Sequence, residues 1–430
     1  MGFTAFALDV GDTTQEYVDQ TLSSLFDAAE NTGFGLYVTM DMYATGNGCY
    51  SRNASCDSPY ACFATDQDGC NGPLDYQWIW DKYMGRSAYH SVKGEKMIST
   101  FSSGGFKSDT WGSWKQGMKD SVYFIPDFDD TEGYYEASDE WWGNWGPVLD
   151  GVSSWESAWP QIVGSDPSKP GDVSKDEKVL SSATGRNKGY MIGLSPLQYK
   201  NAYGTNLYRL GDLNLPARMD HILGMNPRPE FVQFITFNDG PEAHYIGNLW
   251  PEAATDDASS RYANMDQWSH DGWRPLLKSF NEAFASGAPA SEMNTPGDAV
   301  AIGAAWFKTI LVDSVDCTND TKPDGFDQGK NALHWAIVLD PKAGAGYTLT
   351  VAGDKTRSVP LNPGLNYGSS EGGLQAGAQI VELHDPSGQV VMTATGGMCV
   401  SDGCPSGIYN SNYQVVELTD GSKPASCQEW

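Results

Sequence analysis

Residues 231–247 read FVQFITFNDGPEAHYIG, and this stretch decides the predicted fold. Its first half is rich in aromatic and β-branched residues, which is typical of a strand buried in a parallel sheet. The run ends at Asn238-Asp239-Gly240-Pro241-Glu242, which are residue types that mark a turn. Asp239 and Glu242 are therefore predicted to lie at the carboxyl end of a strand. In α/β barrels that end displays the catalytic groups, and hydrolysis of a glycosidic bond requires two carboxyl groups.

Short apolar strands alternate with amphipathic helices upstream of this stretch. The predicted strands are 3–10, 35–40, 97–101, 122–128, 152–155, 190–195 and 231–237. The first predicted helix begins at a capping box, Thr13-Thr14-Gln15-Glu16. Further helices are predicted at 78–89, 111–119, 215–223 and 273–284. Repeated strand–helix units indicate a parallel sheet with helices outside it. Seven strands are one short of the eight that close a TIM-type (β/α)8 barrel. Because the first strand begins almost at Met1, we expect the first strand–helix unit to lie upstream of this chain.

The composition changes at 285–298, a small and polar stretch with Pro and Gly that is typical of a linker. Short β-rich runs separated by turn residues follow it and predict an antiparallel β-sandwich. These runs are 301–312, 333–339, 347–352, 379–384, 390–395 and 413–418. The sequence thus predicts a catalytic α/β barrel over 1–287, a linker over 288–299 and a β-sandwich accessory domain over 300–430. The polar stretch 163–188 is predicted to be a long loop.

Charge and composition exclude several classes of partner. Lys and Arg number 27 against 55 Asp and Glu, and the formal net charge of −28 repels nucleic acid and anionic membrane surfaces. We expect neither as a partner. Aromatic residues make up 12% of the chain, with 15 Trp and 21 Tyr, and their flat faces suit the apolar faces of sugar rings. The alternative is that a protein of 430 residues buries these rings in its core.

The eight cysteines indicate disulfides rather than a zinc site. They are Cys49, Cys56, Cys62, Cys70, Cys317, Cys399, Cys404 and Cys427, and they lack the paired spacing and the accompanying His of structural zinc. Disulfides imply an oxidising compartment. The glycosylation sequons at Asn53 and Asn319 agree with an extracellular or cell-wall location. Met1 is nevertheless followed by a strand-like run instead of a signal peptide, which suggests that the start of the chain is cut.

Eight acidic residues lie where a predicted strand ends: Asp9, Asp41, Asp127, Asp129, Asp130, Glu156, Asp239 and Glu242. Asp and Glu also form turns and solvated surface, so each has a structural alternative. Asp41 directly follows an apolar strand, where a surface acid is out of place, and is predicted to point into a cleft. Asp127 is predicted either to bind a hydroxyl-rich substrate or to cap a helix. Glu156 lies beside Trp155, in either a sugar-stacking site or a packed aromatic corner.

Other chemistries find no support in the sequence. The six histidines show no metal-ligand spacing such as HxxxH, so we expect no catalytic metal. The GxSxG elbow of esterases, the P-loop of NTPases and the GxGxxG motif of dehydrogenases are all missing from the sequence. No cofactor is therefore expected.

At this level of detail the chain resembles glycoside hydrolase family 71, the fungal α-1,3-glucanases also called mutanases. The resemblance runs through GFTAFALDVG (2–11), LYVTMDM (36–42), STFSSG (99–104), YFIPDF (123–128), GLSPLQY (193–199), FNDGPEAHYIG (237–247) and DGWRPLL (271–277). Its most specific part is the W-N-D-x-x-E-[SA]-H-Y motif of the family, which 237–245 matches with Phe237 in place of Trp. The resemblance implies a TIM-type barrel followed by a β-sandwich, and cleavage of α-1,3-glucan with inversion.

The resemblance also assigns roles to individual residues. An inverting enzyme needs one protonated acid and one carboxylate that activates water, about 6.5–9.5 Å apart. We expect Glu242 to be the general acid, with its pKa raised by aromatic surroundings, and Asp239 to be the general base; the reverse assignment is the alternative. Asp41 occupies the place of a further essential Asp of the family and is predicted to support the site.

The remaining predicted site residues are expected to bind substrate. Asn238, His244 and Tyr245 are predicted to hydrogen-bond substrate or the two acids, and a structural role is the alternative for His244 and Tyr245. Asp9 stands where the family usually has Asn and adds a negative charge near the cleft, which raises the pKa of a neighbouring acid or disturbs the pair. Asp127, Trp155 and Glu156 complete the predicted site.

Two functional hypotheses from different classes follow. The first is a secreted, monomeric and endo-acting glycosidase that cleaves α-1,3-glucan of the fungal cell wall. The second is a non-catalytic glucan-binding or wall-associated protein, inactive because its barrel lacks a strand. A weaker third hypothesis is a barrel glycosidase that acts on a different polysaccharide.

Overall fold

The computed structural model describes residues 1–52, 70–103, 105–159, 169–253, 257–313, 315–351, 358–371 and 373–430. The sequon at Asn53, the cysteines Cys56 and Cys62, and the first part of the predicted loop at 163–188 lie outside these ranges. Within them the chain forms a mixed α/β fold. Parallel strands and helices occupy the N-terminal part (1–287), and antiparallel sheets occupy the C-terminal part (300–430).

The strands of the N-terminal part are β1 (Ala5–Val10), β2 (Gly35–Asp41), β3 (Ser91–Val92), β4 (Glu95–Phe101), β5 (Val122–Ile125), β6 (Gly151–Ser153), β7 (Gly189–Leu194), β8 (Gln198–Ala202), β9 (Thr205–Arg209) and β10 (Phe231–Phe234). Parallel pairing runs from β1 through β2 and β4 to β5, and from β6 through β7 to β10. A parallel bridge between Asp127 and Ser153 joins these two groups. All seven strands predicted for this part are confirmed, and their carboxyl ends share one side of the fold.

The two outermost strands of this series approach each other through aromatic side chains. The Phe3 and Phe234 rings lie 5.1 Å apart, and the Phe6 and Phe237 rings lie 4.7 Å apart. No backbone pairing joins β1 to β10 among the described residues. Most side chains of these two strands are half-buried.

The helices are α1 (Glu16–Thr32), α2 (Met42–Arg52), α3 (Gln77–Tyr83), α4 (Ser108–Gly117), α5 (Asp139–Trp145), α6 (Ser174–Thr184), α7 (Asn214–Gly224), α8 (Asp257–Ser260) and α9 (Arg274–Ser286). The predicted helices are confirmed, but two predictions about local structure are wrong. The first is the capping box, because Asp12 rather than Thr13 accepts hydrogen bonds from Thr14 and Gln15. The second is the loop at 163–188, which contains α6, whose Val179, Leu180 and Ala183 are buried.

The C-terminal part contains β11 (Ala301–Lys308), β12 (Ala332–Leu339), β13 (Thr348–Val351), β14 (Ser358–Pro360), β15 (Gly364–Glu371), β16 (Ile380–His384), β17 (Val390–Thr395), β18 (Tyr413–Glu417) and β19 (Thr419–Asp420). They form two antiparallel sheets, β15-β12-β11-β18 and β14-β13-β16-β17-β19. One apolar cluster joins the two sheets, with Phe307 and Leu333 from the first and Leu349 and Leu383 from the second. The six strands predicted here are confirmed, whereas β14, β15 and β19 were not predicted.

Strands β11 and β12 are buried on both faces. Ala301, Ala305 and Phe307 face the second antiparallel sheet, while the alternate residues Ile302, Ala304 and Trp306 join the core of the N-terminal part. This explains why 301–307 reads as a nearly continuous apolar run, since alternation of polar and apolar residues appears only where one face meets water.

Polar contacts reinforce the same junction. Asp212 precedes α7, and its carbonyl oxygen accepts a hydrogen bond from Trp306 Nε1 at 2.8 Å. Its carboxylate accepts another from the Tyr413 hydroxyl at 2.8 Å. His270 Nε2 lies 3.1 Å from Asn412 Oδ1. Because such groups are costly to bury without partners, these contacts fix how the two parts fit together.

Three disulfides are formed among the described residues: Cys49–Cys70, Cys317–Cys404 and Cys399–Cys427. They are compatible with the oxidising compartment predicted from the cysteine pattern. Among the helices that the structure describes, none has the length and apolar character needed to cross a membrane.

Candidate active site

Carboxylates from three strand ends meet on one side of the N-terminal part. Asp9 lies in β1, Asp41 ends β2, and Asp239 follows β10. Desolvation by the surrounding protein raises the pKa of Asp9 and the charges of Asp41 and Asp239 raise it further, although Asp9 itself is exposed to solvent. Burial also raises the pKa of Asp41, to about 6. The charges of Asp41 and Asp239 thus both act on Asp9, as expected where the carboxyl ends of parallel strands converge.

The loop that carries Asp239 and Glu242 is held by its own backbone. The Glu242 amide donates to Asp239 Oδ1 at 2.9 Å, and the Asp239 amide donates to Thr236 Oγ1 at 3.0 Å. The Pro-containing turn predicted from the sequence thus places both carboxyl groups on the same short segment. Burial raises the pKa of Asp239 above its ordinary value.

Glu242 is surrounded by hydrogen-bond donors. Lys200 Nζ lies 3.0 Å from Oε1, His244 Nε2 lies 3.0 Å from Oε2, and Gln198 Nε2 donates to Oε2. Burial acts to raise the pKa of Glu242, but the hydrogen bonds and charges of His244 and Lys200 outweigh it and hold this pKa well below its usual range. The predicted upward shift is therefore wrong, because cationic and polar donors rather than aromatic rings surround the carboxylate.

Asp239 and Glu242 lie close to one another. One carboxylate oxygen of each, together with a ring nitrogen of His244, lie within 4.8 Å of one another. An inverting pair has its two carboxyl groups about 6.5–9.5 Å apart so that a water fits between them. That separation stays a prediction for Asp239 and Glu242, since 4.8 Å describes only their nearest atoms.

His244 and Trp155 join the site around Glu242. His244 is fully buried, and its Nδ1 lies 3.1 Å from Thr236 Oγ1, which orients the other ring nitrogen toward Glu242. The prediction that His244 hydrogen-bonds an acid is confirmed. The Trp155 ring is half-buried and lies 6.4 Å from the His244 ring. Glu156 forms an ion pair of 2.8 Å with Arg209, and burial raises its pKa.

Asp127 lies in the loop after β5 and does not cap the next helix, α5, which is capped by Ser138. It is 4% exposed, and its Oδ1 accepts a hydrogen bond from the Asp129 amide at 3.2 Å. Burial and the charge of Asp129 raise its pKa. Asp129 in turn accepts from the Ser154 hydroxyl at 2.8 Å and the Glu156 amide at 2.9 Å. These contacts shape the loop after β5 and leave Asp127 enclosed by protein, so its predicted contact with substrate is not supported.

Tyr245 and Asn238 differ in their access to the cleft. Tyr245 is fully buried, its ring stacks on His270 at 4.0 Å, and its hydroxyl donates to the Trp268 carbonyl. The structural alternative therefore describes Tyr245, and the prediction of a substrate contact is wrong because this side chain points into the junction with the C-terminal part. Asn238 is exposed and remains available to a ligand.

Sequence reasoning missed the residues on the β8–β9 hairpin. Gln198 and Lys200 lie two positions apart on β8, so both side chains point to the same face and reach Glu242. Their segment carries no acid and no GxSxG, P-loop or GxGxxG motif, although 193–199 is one of the stretches that resemble the family. The turn pair Tyr203-Gly204 between two short polar runs is the signal that indicates a hairpin here.

Replacing Asp41 with asparagine is expected to stabilise the protein at neutral pH. The pKa of Asp41 is about 6 in the folded state, above its ordinary value of 3.8. The protonated side chain therefore contributes fully to the free energy of unfolding below about pH 4, and this contribution is lost as the pH rises through 6. The Asp41→Asn variant avoids this loss, which amounts to at most about 1.4 kcal/mol per pH unit and less where water screens the charge. Urea denaturation of both proteins at pH 4 and pH 7 measures it.

The control for this experiment is Asp120→Asn at an exposed turn, where we expect the same small change at both pH values. An Asp41→Asn variant whose stability relative to the parent is identical at pH 4 and pH 7 would contradict the raised pKa.

Paired carboxyl groups of opposite pKa shift at the carboxyl ends of parallel strands define a glycosidase type of site. Comparison with known proteins agrees with this type of site, since the family model Glycosyl hydrolase family 71 matches residues 1–427. The chain belongs to this family, which confirms the resemblance seen in the sequence and the glycosyl hydrolase class.

Individual relatives cover most of the chain. A mutanase from Penicillium rubens is 28% identical over 431 residues, which is 98% of this chain and 83% of the relative. A glucan endo-1,3-alpha-glucosidase from Schizosaccharomyces pombe is 23% identical over 310 residues, 68% of this chain and 61% of the relative. Among solved structures, the GH99 endo-alpha-mannosidase from Bacteroides thetaiotaomicron is 14% identical with a TM-score of 0.47, over 66% of this chain and 76% of that one.

Proposed function

We propose that the protein hydrolyses α-1,3-glucan, with Asp239 and Glu242 as the two catalytic carboxyl groups. The observation that carries this proposal is the pair itself: two acids on one turn, one with a raised and the other with a lowered pKa. The names of the two relatives, a mutanase and a glucan endo-1,3-alpha-glucosidase, support α-1,3-glucan as the substrate and cleavage at internal bonds of this polysaccharide.

The environments of the two acids favour the reverse of the predicted roles. Asp239, whose pKa is raised by burial, is proposed to donate a proton to the glycosidic oxygen. Glu242 is kept ionised by His244 and Lys200 and is proposed to remove a proton from the attacking water. Asp41 is proposed to support the site through its neighbour Asp9, whose pKa its charge raises.

The arrangement of the chain into a barrel and a β-sandwich is also part of the proposal. Residues 1–287 are proposed to form a TIM-type catalytic barrel in which the parallel series from β1 to β10 is the sheet, and 300–430 a β-sandwich that packs on it. The three disulfides and the exposed sequon residue Asn319 support an extracellular or cell-wall location. The protein is proposed to act as a monomer.

Incubation with insoluble α-1,3-glucan is expected to release reducing ends, and the first product is expected to carry the β configuration. Inversion is implied by the resemblance, and it requires space for a water between the sugar and one of the two carboxyl groups. Proton NMR during the first turnovers reads the configuration. A first product of α configuration would contradict inversion.

Parallel incubations with α-1,4- and β-1,3-glucan serve as controls. Release from these polymers alone would assign a different substrate. Binding to α-1,3-glucan without release of reducing ends would instead support the non-catalytic alternative and overturn the proposed activity.

A further inference from the structure

We propose that Lys200 is a positioning residue that fixes the Glu242 carboxylate, and that the C-terminal part holds Lys200 in place through the β8–β9 hairpin. The proposal rests on the proposed function, since it takes Glu242 to be catalytic. It gives the C-terminal part a specific task at the active site that the sequence did not indicate.

The hairpin contacts Glu242 through three consecutive residues. The Tyr199 amide donates to the Glu242 carbonyl at 3.0 Å, which ties the two backbones together. Lys200 Nζ then reaches Oε1 at 3.0 Å, and Gln198 donates to Oε2. The Tyr199 side chain, on the other face of the strand, packs on the Tyr262 ring at 4.8 Å. The position of β8 therefore determines where the Glu242 carboxylate points.

The other edge of the hairpin is bound by the segment 317–324 of the C-terminal part. Asn201 Nδ2 donates to the carboxylate of Asp320 at 3.2 Å. Asn206 Nδ2 donates to the Thr321 carbonyl at 2.8 Å. The backbones also pair, since the Tyr208 amide donates to the Asp324 carbonyl at 2.7 Å and the Asp324 amide to the Asn206 carbonyl at 3.0 Å. Segment 317–324 thus serves as an added edge for β9.

Segment 317–324 is itself anchored. The Cys317–Cys404 disulfide joins its first residue to the loop before β18, and the Tyr409 amide donates to Asp320 Oδ2 at 2.9 Å. Asp320 therefore accepts from Asn201 on the hairpin and from Tyr409 in the C-terminal part at once. A continuous chain of contacts runs from the disulfide through Asp320 and Asn201 to Lys200 and Glu242.

The charges that face Glu242 come from three elements. Its own loop contributes Asp239 and His244, the hairpin contributes Lys200, and the loop after β6 contributes Glu156. Glu156 is paired with Arg209 of β9 at 2.8 Å, so the hairpin also offsets the second negative charge. Removing the Lys200 amine leaves Glu242 in contact with His244 and Gln198 but without the lysine charge, and the carboxylate then ionises at a higher pH.

The test compares Lys200→Met and Lys200→Arg with the parent. Lys200→Met is expected to lower kcat/KM on α-1,3-glucan by about 10- to 100-fold, the effect of losing one hydrogen bond to a charged group. The acidic limb of its profile of kcat/KM against pH is expected to move up by about one pH unit. The lysine charge lowers the pKa of the nearby carboxyl group, and the variant lacks that charge. Lys200→Arg, which keeps the charge, is expected to restore most of that limb. Lys278→Met on α9, whose side chain is partly exposed, is the control and should match the parent.

Asp320→Ala tests the remote half of the proposal. We expect it to shift the acidic limb in the same direction by a smaller amount, and the double variant with Lys200→Met to be no worse than Lys200→Met alone. Asp402→Ala, an exposed acid of the same part, is the control and should change neither property.

The outcomes separate this proposal from the proposed function. An active parent with an unchanged pH profile in Lys200→Met overturns the role of Lys200, and independent, additive effects of Asp320→Ala overturn its support by the C-terminal part. An inactive parent contradicts the proposed function alone. In that case carbon-13 NMR titration of Glu242 in the parent and in Lys200→Met still decides, since an unchanged pKa of Glu242 refutes the proposal.

Discussion

Asp239→Asn is expected to lower kcat on α-1,3-glucan by about 10²- to 10⁴-fold, the contribution of a general acid. Burial raises the pKa of Asp239, and asparagine keeps the shape of the side chain but has no acidic proton to give to the glycosidic oxygen. An α-1,3-linked oligosaccharide fluoride makes the test specific, because fluoride departs without protonation. The variant is expected to retain most of the rate of the parent on this substrate, measured by fluoride release.

The outcome that would contradict this role is an equal loss on glucan and on the fluoride. Such a result fits a residue that activates water, which is the role that the sequence assigned to Asp239. Circular dichroism and unfolding of the variant are the control for its fold, since asparagine also accepts the hydrogen bond from the Glu242 amide.

Glu242→Gln is expected to lose about 10²- to 10⁴-fold on both substrates, because the attacking water must lose a proton in either case. Glutamine nearly preserves the shape but cannot take up that proton. Added azide needs no deprotonation and is expected to restore turnover, giving a glycosyl azide of β configuration. Mass spectrometry and NMR of the product measure the rescue.

Azide offered to Asp239→Asn is the matched control and should restore nothing. Rescue of Asp239→Asn together with failure of Glu242→Gln to respond would return the two roles to the assignment first predicted from the sequence. The pair of variants thus distinguishes the two assignments directly.

Much of the parallel sheet was predictable because its strands are buried on both faces. Runs such as 190–195 are apolar without interruption and end in a turn, so their type and approximate limits follow from composition. Asp41 and Asp239 were located for the same reason, since a carboxyl group directly after such a run has few structural explanations. Helix α6 was missed because its first turn, Ser174 to Glu177, reads as a polar loop.

The charge state of the site was not predictable from the stretch that carries it. Nothing in 231–247 indicates that Lys200 and Gln198 approach from another element, so the pKa of Glu242 was assigned the wrong direction. Tyr245 was misassigned for a related reason, because Asn412 and His270 surround it only when the C-terminal part packs on the N-terminal part. Contacts between distant segments decide both cases.

The burial of β11 and β12 on both faces has a consequence for how the gene can recombine. Here Ile302, Ala304 and Trp306 belong to the core of the N-terminal part, so a gene fragment encoding either half alone would expose an apolar face and leave Asp212 without its partners. Recombination is therefore expected to transmit the two halves together, and their sequences to change in concert along this boundary.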